Sequence, residues 1–429
     1  MRLARILWSY HRTRRLRFER REDLERHQRT MLRKFIAGPL AHSPYFSPYR
    51  TQPLDTWPIM SKPAMMAHFD TINTAGLKLD DVLDCARRAE QSRDFTPGVD
   101  GYSVGLSSGT SGSRGVFVVS PKEQAAWAGA LLARLLPRGL FAGERVALFL
   151  RANSNLYATV RSPWLSFEFF DLMESLDEQI ERLERYAPTI VVAPAQVLCM
   201  LADTKLGGQL TLHPRKVISG AEVLESFDRI LLSKAFGEVG EVYQATEGFL
   251  GATCAHGTLH LNEAHIHVEP QWLDEQRFLP VITDFSRHTQ PIVRYRLDDI
   301  LIRRTEICPC GSPEMALDGI EGRCDDLLKL PARDGSIVSV FADGLSRAIA
   351  QSLSLHADYR LIQVGEARLE LYADTSYDEI SACRERLDRH LEQQGIDIAK
   401  LEWRLSHLLP PINLGAKRRR IIRQTGGLG

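Results

Sequence analysis

Between residues of about 100 and 300, short runs of β-branched and aromatic side chains alternate with stretches whose apolar positions recur every three or four residues. Arg145 to Leu150 reads as a strand. Leu172, Leu176, Ile180 and Leu183 keep the spacing of an amphipathic helix, and Pro188 ends it. Thr189 to Ala193 reads as a buried strand, Val197 to Leu201 as helix, Lys216 to Ser219 as strand, Phe227 to Phe236 as helix and Glu241 to Tyr243 as strand. This alternation predicts an α/β fold, a mostly parallel sheet with helices on both faces. Ligands on such sheets sit beyond the carboxyl ends of the strands, which directs attention to the residues after each strand.

The flanking regions have different textures. Residues 1–95 read as helical and Arg-rich, with Glu19, Glu22, Asp23 and Glu25 among the basic residues and Pro58 and Pro63 as punctuation. We expect one or two amphipathic helices packed on the body. Residues 96–324 form the large unit. Residues 325–429 show the order helix (Leu345 to Leu353), two strands (Tyr359 to Val364, Ala367 to Tyr372), helix (Tyr377 to Glu392) and strand (Leu401 to Leu405), a small separate α+β domain.

Composition narrows the function. At about 150 residues per domain, the 429 residues allow two or three domains. Lys+Arg and Asp+Glu both number 54, and a dedicated nucleic-acid binder would be basic. No apolar run reaches the ~18 residues of a membrane span; the most apolar stretch, Thr189 to Ala202, is broken by Pro194 and Gln196. The Arg-rich start lacks the apolar core of a signal peptide. The chain carries 7 cysteines, and without a secretory signal these suit reduced thiols in a cytoplasm.

Six motifs carry possible chemistry, the second of them made of two strand ends. Ser107-Ser108-Gly109-Thr110-Ser111-Gly112-Ser113-Arg114-Gly115 packs Gly and hydroxyl residues between two strand-like runs, Tyr102 to Leu106 and Val116 to Ser120. Such a loop can approach a ligand closely and cradle phosphate oxygens; a flexible hairpin turn is the plainer reading. Ser219-Gly220-Ala221-Glu222 and Tyr243-Gln244-Ala245-Thr246-Glu247-Gly248 each follow a strand. There a carboxylate such as Glu247 can hold Mg²⁺, while helix capping is the alternative. Arg294-Tyr295-Arg296-Leu297-Asp298-Asp299 offers a carboxylate for ribose hydroxyls or a surface ion pair. Gly322-Arg323-Cys324-Asp325-Asp326 sits at the change of texture. Gly415-Ala416-Lys417-Arg418-Arg419-Arg420 is a basic run that reads as a solvated tail or an anion binder. Cys254, His260, Cys308 and Cys310 suit tetrahedral Zn²⁺ or are unrelated thiols, with His256 as a competing ligand.

Taken in order, these pieces resemble the adenylate-forming superfamily of acyl-CoA synthetases, in particular its phenylacetate–CoA ligase and deazaflavin-coenzyme adenylyltransferase-like branch, over about residues 60 to 425. The resemblance implies a large N-terminal adenylate-forming domain with parallel sheets flanked by helices and a small mobile C-terminal α+β domain, hinged at Asp325. Ser107, Ser108, Gly109, Thr110, Ser111, Gly112 and Gly115 would form the phosphate loop. Gly220 and Glu222 would lie against adenine, and Tyr243 would line the adenine or acyl side. Thr246 would touch phosphate and Glu247 would bind Mg²⁺. Asp299 would hold the ribose, with Arg323 nearby. Lys417 would be the C-terminal lysine of adenylation; Ala416 interrupts the usual Gly-Lys pair, leaving Arg418 as the competing cation. Cys254, His260, Cys308 and Cys310 look like that branch's structural zinc ligands.

The implied activity is ATP-dependent: a small-molecule carboxylic acid becomes acyl-AMP and passes to a thiol, either CoA or the phosphopantetheine of an acyl carrier protein. Two other readings stay open, an adenylyltransferase acting on a hydroxyl without thioester formation and a catalytically silent nucleotide-binding protein. The expected setting is a cytoplasmic monomer or homodimer without nucleic-acid or membrane partners.

Overall fold

The structure, a computed structural model, describes residues 2–92, 94–96, 98–106, 115–136, 138–150, 165–172, 176–323, 327–340, 342–354, 357–410 and 419–424. The described residues form one mixed sheet of 12 strands, a four-stranded sheet and two hairpins. Leu165–Asp171, Glu144–Leu150, Ile190–Ala193, Lys216–Gly220 and Val239–Ala245 run parallel, in that spatial order. The expected strand–helix alternation accounts for this half, because parallel neighbours need crossover connections. Beyond Val239–Ala245 the sheet continues antiparallel through Gly248–Thr253, Leu259–Leu261, Ala316–Arg323, Asp299–Arg303, Arg277–Asp284 and Ile266–Trp272.

Two-sided burial shows in single strands of the parallel half. In Glu144–Leu150, Ala147 and Phe149 face a core with Leu198 and Leu231 of the helices Ala195–Leu206 and Ser226–Phe236. Val146 and Leu148 face the opposite core, with Leu131 of the helix Pro121–Leu135 and Ile6 of the helix Arg2–Arg15. Continuous apolar runs are what a doubly covered strand requires. Leu172 corrects one expectation. It extends the strand Leu165–Asp171, its N–H bonding to the Leu150 carbonyl, and is buried together with Phe170 on the same face. Alternation of period two overrode the helical spacing, and the helix occupies Leu176–Tyr186.

The N-terminal helices do pack on the body. Ile6 and Tyr10 are buried, each worth about 1.5–3 kcal/mol at full burial of an apolar side chain. The crossing is so close that a Cβ on Gly129 would lie 2.4 Å from the Ile6 carbonyl oxygen. The second helix, Arg21–Ala37, is tied down by Arg21, which grips buried Glu263 at 2.6 and 2.8 Å, and by Gln28, whose amide donates to the carbonyls of Glu263 and Ile266.

The C-terminal sheet has the order Glu402–Ser406, Arg368–Ala373, Tyr359–Gln363, Ile421–Arg423. The helices Ala342–Ala350 and Tyr377–Gln393 share its core through Leu345, Ile349 and Leu387. The end of the basic run is therefore not a solvated tail: Ile421–Arg423 pairs in parallel with Tyr359–Gln363. No helix among the described residues is long and apolar enough to cross a membrane.

Candidate active site

The carboxyl ends of Lys216–Gly220 and Val239–Ala245 lie side by side, with Gly220 opposite Val242. Thr246 and Glu247 form the turn of the hairpin joining Val239–Ala245 to Gly248–Thr253. They start no helix, so capping does not explain them. The other strand end leads through Ala221, held at φ 67°, a conformation that costs a non-glycine residue of the order of 1 kcal/mol and is common where a site constrains the backbone. Glu222 accepts a hydrogen bond from the Gln196 backbone N–H at 3.0 Å, which fastens this loop to the helix Ala195–Leu206. Among the described residues, the buried Ser219 hydroxyl and Gln196 side-chain nitrogen have no hydrogen-bond partner.

Tyr243 reaches across the sheet. Its hydroxyl donates to Asp299 Oδ2 at 2.7 Å, joining two motifs far apart in sequence. Asp299 opens its strand and pairs directly with Arg323 in the neighbouring one, so the two residues linked by the resemblance are adjacent on the sheet. Arg294 of the same motif serves the scaffold: it binds Glu269 at 2.8 Å and the carbonyls of Asp55 and Trp57 at 2.6 and 2.5 Å.

The hairpin predicted around the Gly-rich segment is present, Ser103–Leu106 pairing antiparallel with Val116–Val119. Of that segment Gly115 is described, and it lines a cavity together with Thr246, Glu247, Arg287 and Tyr295. Ser107, Ser108, Gly109, Thr110, Ser111 and Gly112 lie outside the described residues, as do Asp325, Lys417 and Arg418.

Two further residues, Gln290 and Glu123, hold this hairpin in place, a third, Asp284, packs against Gly248, and nothing in the sequence pattern singled them out. Gln290 accepts from the Val118 N–H at 2.8 Å and donates to the Val116 carbonyl at 3.2 Å, occupying the edge of that strand as a neighbour strand would. Glu123 closes a capping box with Ser120 at the start of Pro121–Leu135 and accepts from the backbone N–H groups of His288 and Thr289 at 2.6 and 2.9 Å. Burial works to raise the Glu123 carboxyl, but hydrogen bonds from Ser120 and Thr289 hold it below its ordinary value. Asp284 is buried and raised by burial, with Ser286 opposing. It crowds Gly248, where an added Cβ would come within 2.6 Å of Oδ2. A lone Glu, Gln or Asp carries no signature of such a bridge.

A second cluster lies where Gly248–Thr253, Leu259–Leu261 and the loop before Ala316–Arg323 meet. The ligand atoms of Cys254, His260, Cys308 and Cys310 all lie within 4.8 Å of one another. Cys254 Sγ is 3.7 Å from Cys308 Sγ, and Cys310 Sγ is 3.4 Å from His260 Nε2. Two sulfurs about 2.3 Å from one zinc at tetrahedral angles would stand about 3.8 Å apart. His260 Nδ1 lies 3.0 Å from the Glu314 carbonyl. That oxygen needs a proton donor, so Nδ1 carries the hydrogen and Nε2 keeps a lone pair for the cluster. Burial opposes ionisation of Cys308, yet hydrogen bonds from Thr258, Cys310 and His260 bring it down to about 6, while burial pushes Cys310 up to about 12. One thiol ionises and its neighbour then resists, a repulsion that a dication would remove. The donor set fits zinc, and His256 is not part of it.

No family model matches the chain, and no curated protein matches it in sequence. Solved structures do match its shape. A 2-hydroxyisobutyryl-CoA ligase in the postadenylation state with 2-HIB-AMP superposes with a TM-score of 0.65 at 15% identity, covering 94% of this chain and 88% of that one. The chain has the fold of an acid–CoA ligase. The same enzyme in its thioesterification state, with 2-HIB-AMP and CoA, gives 0.51 at 15% identity over 93% and 88%. The amide bond synthetase McbA from Marinactinospora thermotolerans gives 0.53 at 14% identity over 76% and 69%.

Proposed function

We propose that the protein is an ATP-dependent, adenylate-forming ligase for a small carboxylic acid. The observation that carries the reading is the meeting of three separate motifs: Gly115 lies beside Thr246 and Glu247 around one cavity, and Tyr243, of the same motif as Thr246 and Glu247, is bonded to Asp299. In this reading the substrate carboxylate attacks the α-phosphorus of ATP, the α–β bridge breaks, and pyrophosphate leaves with the bonding electron pair. A thiol of CoA or of a carrier protein then displaces AMP. Glu247, with Thr246 beside it, would hold Mg²⁺, which supplies charge neutralisation on the phosphates when bound. Asp299, steadied by the Tyr243 hydroxyl, accepts the ribose hydroxyls, and Gly220 and Glu222 border the base. Lys417 supplies the cation of the adenylation step from the C-terminal domain, residues 325–429, swinging about Asp325. The four-ligand cluster at Cys254, His260, Cys308 and Cys310 leaves no open position, so its zinc would be structural.

Acid-dependent exchange of labelled pyrophosphate into ATP, screened over aryl, fatty and amino acids, tests the reading. Exchange with one class supports it, and subsequent addition of CoA identifies the thiol step. AMP joined to a hydroxyl product without thioester would instead make the protein an adenylyltransferase. ATP binding without any exchange would make it catalytically silent.

A further inference from the structure

Arg287 is buried, with 8% of its surface exposed, and lines the cavity with Gly115, Thr246 and Glu247. A buried guanidinium costs several kcal/mol of desolvation unless it is paired. The other buried arginine among the described residues meets that need: Arg420 has Glu225, Asp228 and Asp358 around it. Even the half-buried Arg294 has Glu269. Arg287 has no carboxylate within salt-bridge distance among the described residues. Its Nη2 makes two long contacts, 3.4 Å to the Val118 carbonyl and 3.5 Å to Gln290 Oε1, and its Nε has no partner among them. Asp284 senses its charge without pairing to it.

The surroundings keep this cation fixed and available. Gln290 and Glu123 lock segment 284–290 to the strand Val116–Val119 and to the start of the helix Pro121–Leu135. The guanidinium is thereby held between the strand that leaves the Gly-rich loop and the turn that carries Thr246 and Glu247. Neither Tyr243 nor Asp299 lines this cavity, so Arg287 stands on the phosphate side of the site, away from the pair assigned to ribose. A buried planar fork of N–H donors lining the same cavity as a carboxylate suited to Mg²⁺ suits bidentate binding of phosphate oxygens.

We infer that Arg287 binds the β- and γ-phosphates of ATP and, after adenylation, the departing pyrophosphate. This rests on the adenylate-forming reading and extends it to a residue outside the six motifs. When the α–β bridge breaks, the bridging oxygen keeps the electron pair and pyrophosphate gains negative charge; Arg287 meets that charge with a preorganised donor set.

Calorimetric titration of the purified full chain with magnesium pyrophosphate and, separately, with AMP tests the inference. In Arg287→Met, pyrophosphate affinity should fall about tenfold or more, as losing hydrogen bonds to a charged group implies. AMP affinity should be unchanged, and the melting temperature unchanged or higher, because a buried charge with no carboxylate partner among the described residues has been removed. Pyrophosphate binding equal to the wild type in folded Arg287→Met overturns the inference and leaves the ligase reading standing. Equal losses for both ligands with a lower melting temperature make Arg287 merely structural and also overturn it. A wild type that binds neither ligand overturns the ligase reading, and the inference with it. If Arg287→Met does not fold, Arg287→Lys decides: it keeps the charge but loses the fork, so it must weaken pyrophosphate alone, and wild-type affinity for both ligands refutes the assignment.

Discussion

Arg420 Nη1 lies 2.9 Å from Asp228 Oδ1, and this contact ties the residue before the last C-terminal strand to a helix that packs on the large sheet. Asp228 belongs to the first turn of Ser226–Phe236, whereas Arg420 immediately precedes the strand Ile421–Arg423. Glu225 accepts from both Arg420 and Tyr359, at 3.1 and 2.8 Å. Asp358 lies 3.1 Å from Arg420 Nε. One cation thus serves three carboxylates at a buried junction, directly after the Ser219–Glu222 loop.

Removing the cation should therefore cost more than removing any one carboxylate. Arg420→Ala leaves Glu225, Asp228 and Asp358 facing one another, and breaking a buried pair from one side costs about 3–5 kcal/mol. Asp228→Asn leaves Arg420 with two partners and should cost less. Urea denaturation of both variants checks the order, and an Arg420→Ala protein as stable as the wild type would remove this contact from the account of how the two sheets dock.

Glu247→Gln should abolish pyrophosphate exchange while leaving the fold intact. Glu247 sits half-buried in a hairpin turn and belongs to no core cluster among the described residues, so replacing it should leave the packing intact. Loss of a metal-ligand charge removes several kcal/mol of transition-state stabilisation, a rate loss of roughly a hundredfold or more at ~1.4 kcal/mol per tenfold. Near-normal exchange in a folded Glu247→Gln protein would end the magnesium assignment.

Purified wild type should contain one zinc per chain, and Cys308→Ser should lose it and melt many degrees lower. The cluster staples residues 254–260 to 308–310, so the metal's binding energy counts as folding energy. Protons compete with the metal for thiolate and imidazole, so acid should release zinc and lower stability together. Elemental analysis decides; zinc-free wild type prepared without chelator refutes the site.

His265 supplies a separate pH dependence. Burial holds its imidazole down to about 3, and the charges of Arg134, Arg12 and His27 push the same way. The unfolded chain takes up this proton near pH 6.5 and the folded chain does not. Its contribution is therefore fully present above about pH 6.5 and is lost as pH falls toward 3, on the order of 1 kcal/mol per pH unit. His265→Gln should flatten the melting temperature between pH 6.5 and 5 relative to wild type. Parallel pH profiles would show that His265 is not the group responsible.

Local pattern alone determined a good part of this protein. Apolar runs such as Thr189 to Ala193 and the helical spacing of Phe227 to Phe236 lie within single elements, where periodicity reports burial directly. That is why the parallel half of the sheet, the hairpin around the Gly-rich loop and the C-terminal order of helices and strands were legible. The turn at Thr246-Glu247 was legible as a candidate site because it follows a strand, but only the antiparallel continuation of the sheet removed helix capping as an alternative. The tertiary structure decided the rest. Tyr243 meets Asp299, Cys254 and His260 meet Cys308 and Cys310, and Arg420 leaves a basic run to become a buried junction. Arg287, in no motif at all, acquires its meaning from a cavity whose walls come from four segments far apart in sequence. Contacts across such distances in sequence leave no trace in local periodicity, because the energy that selects them arises only when the packed chain excludes water and leaves each buried charge to find a partner.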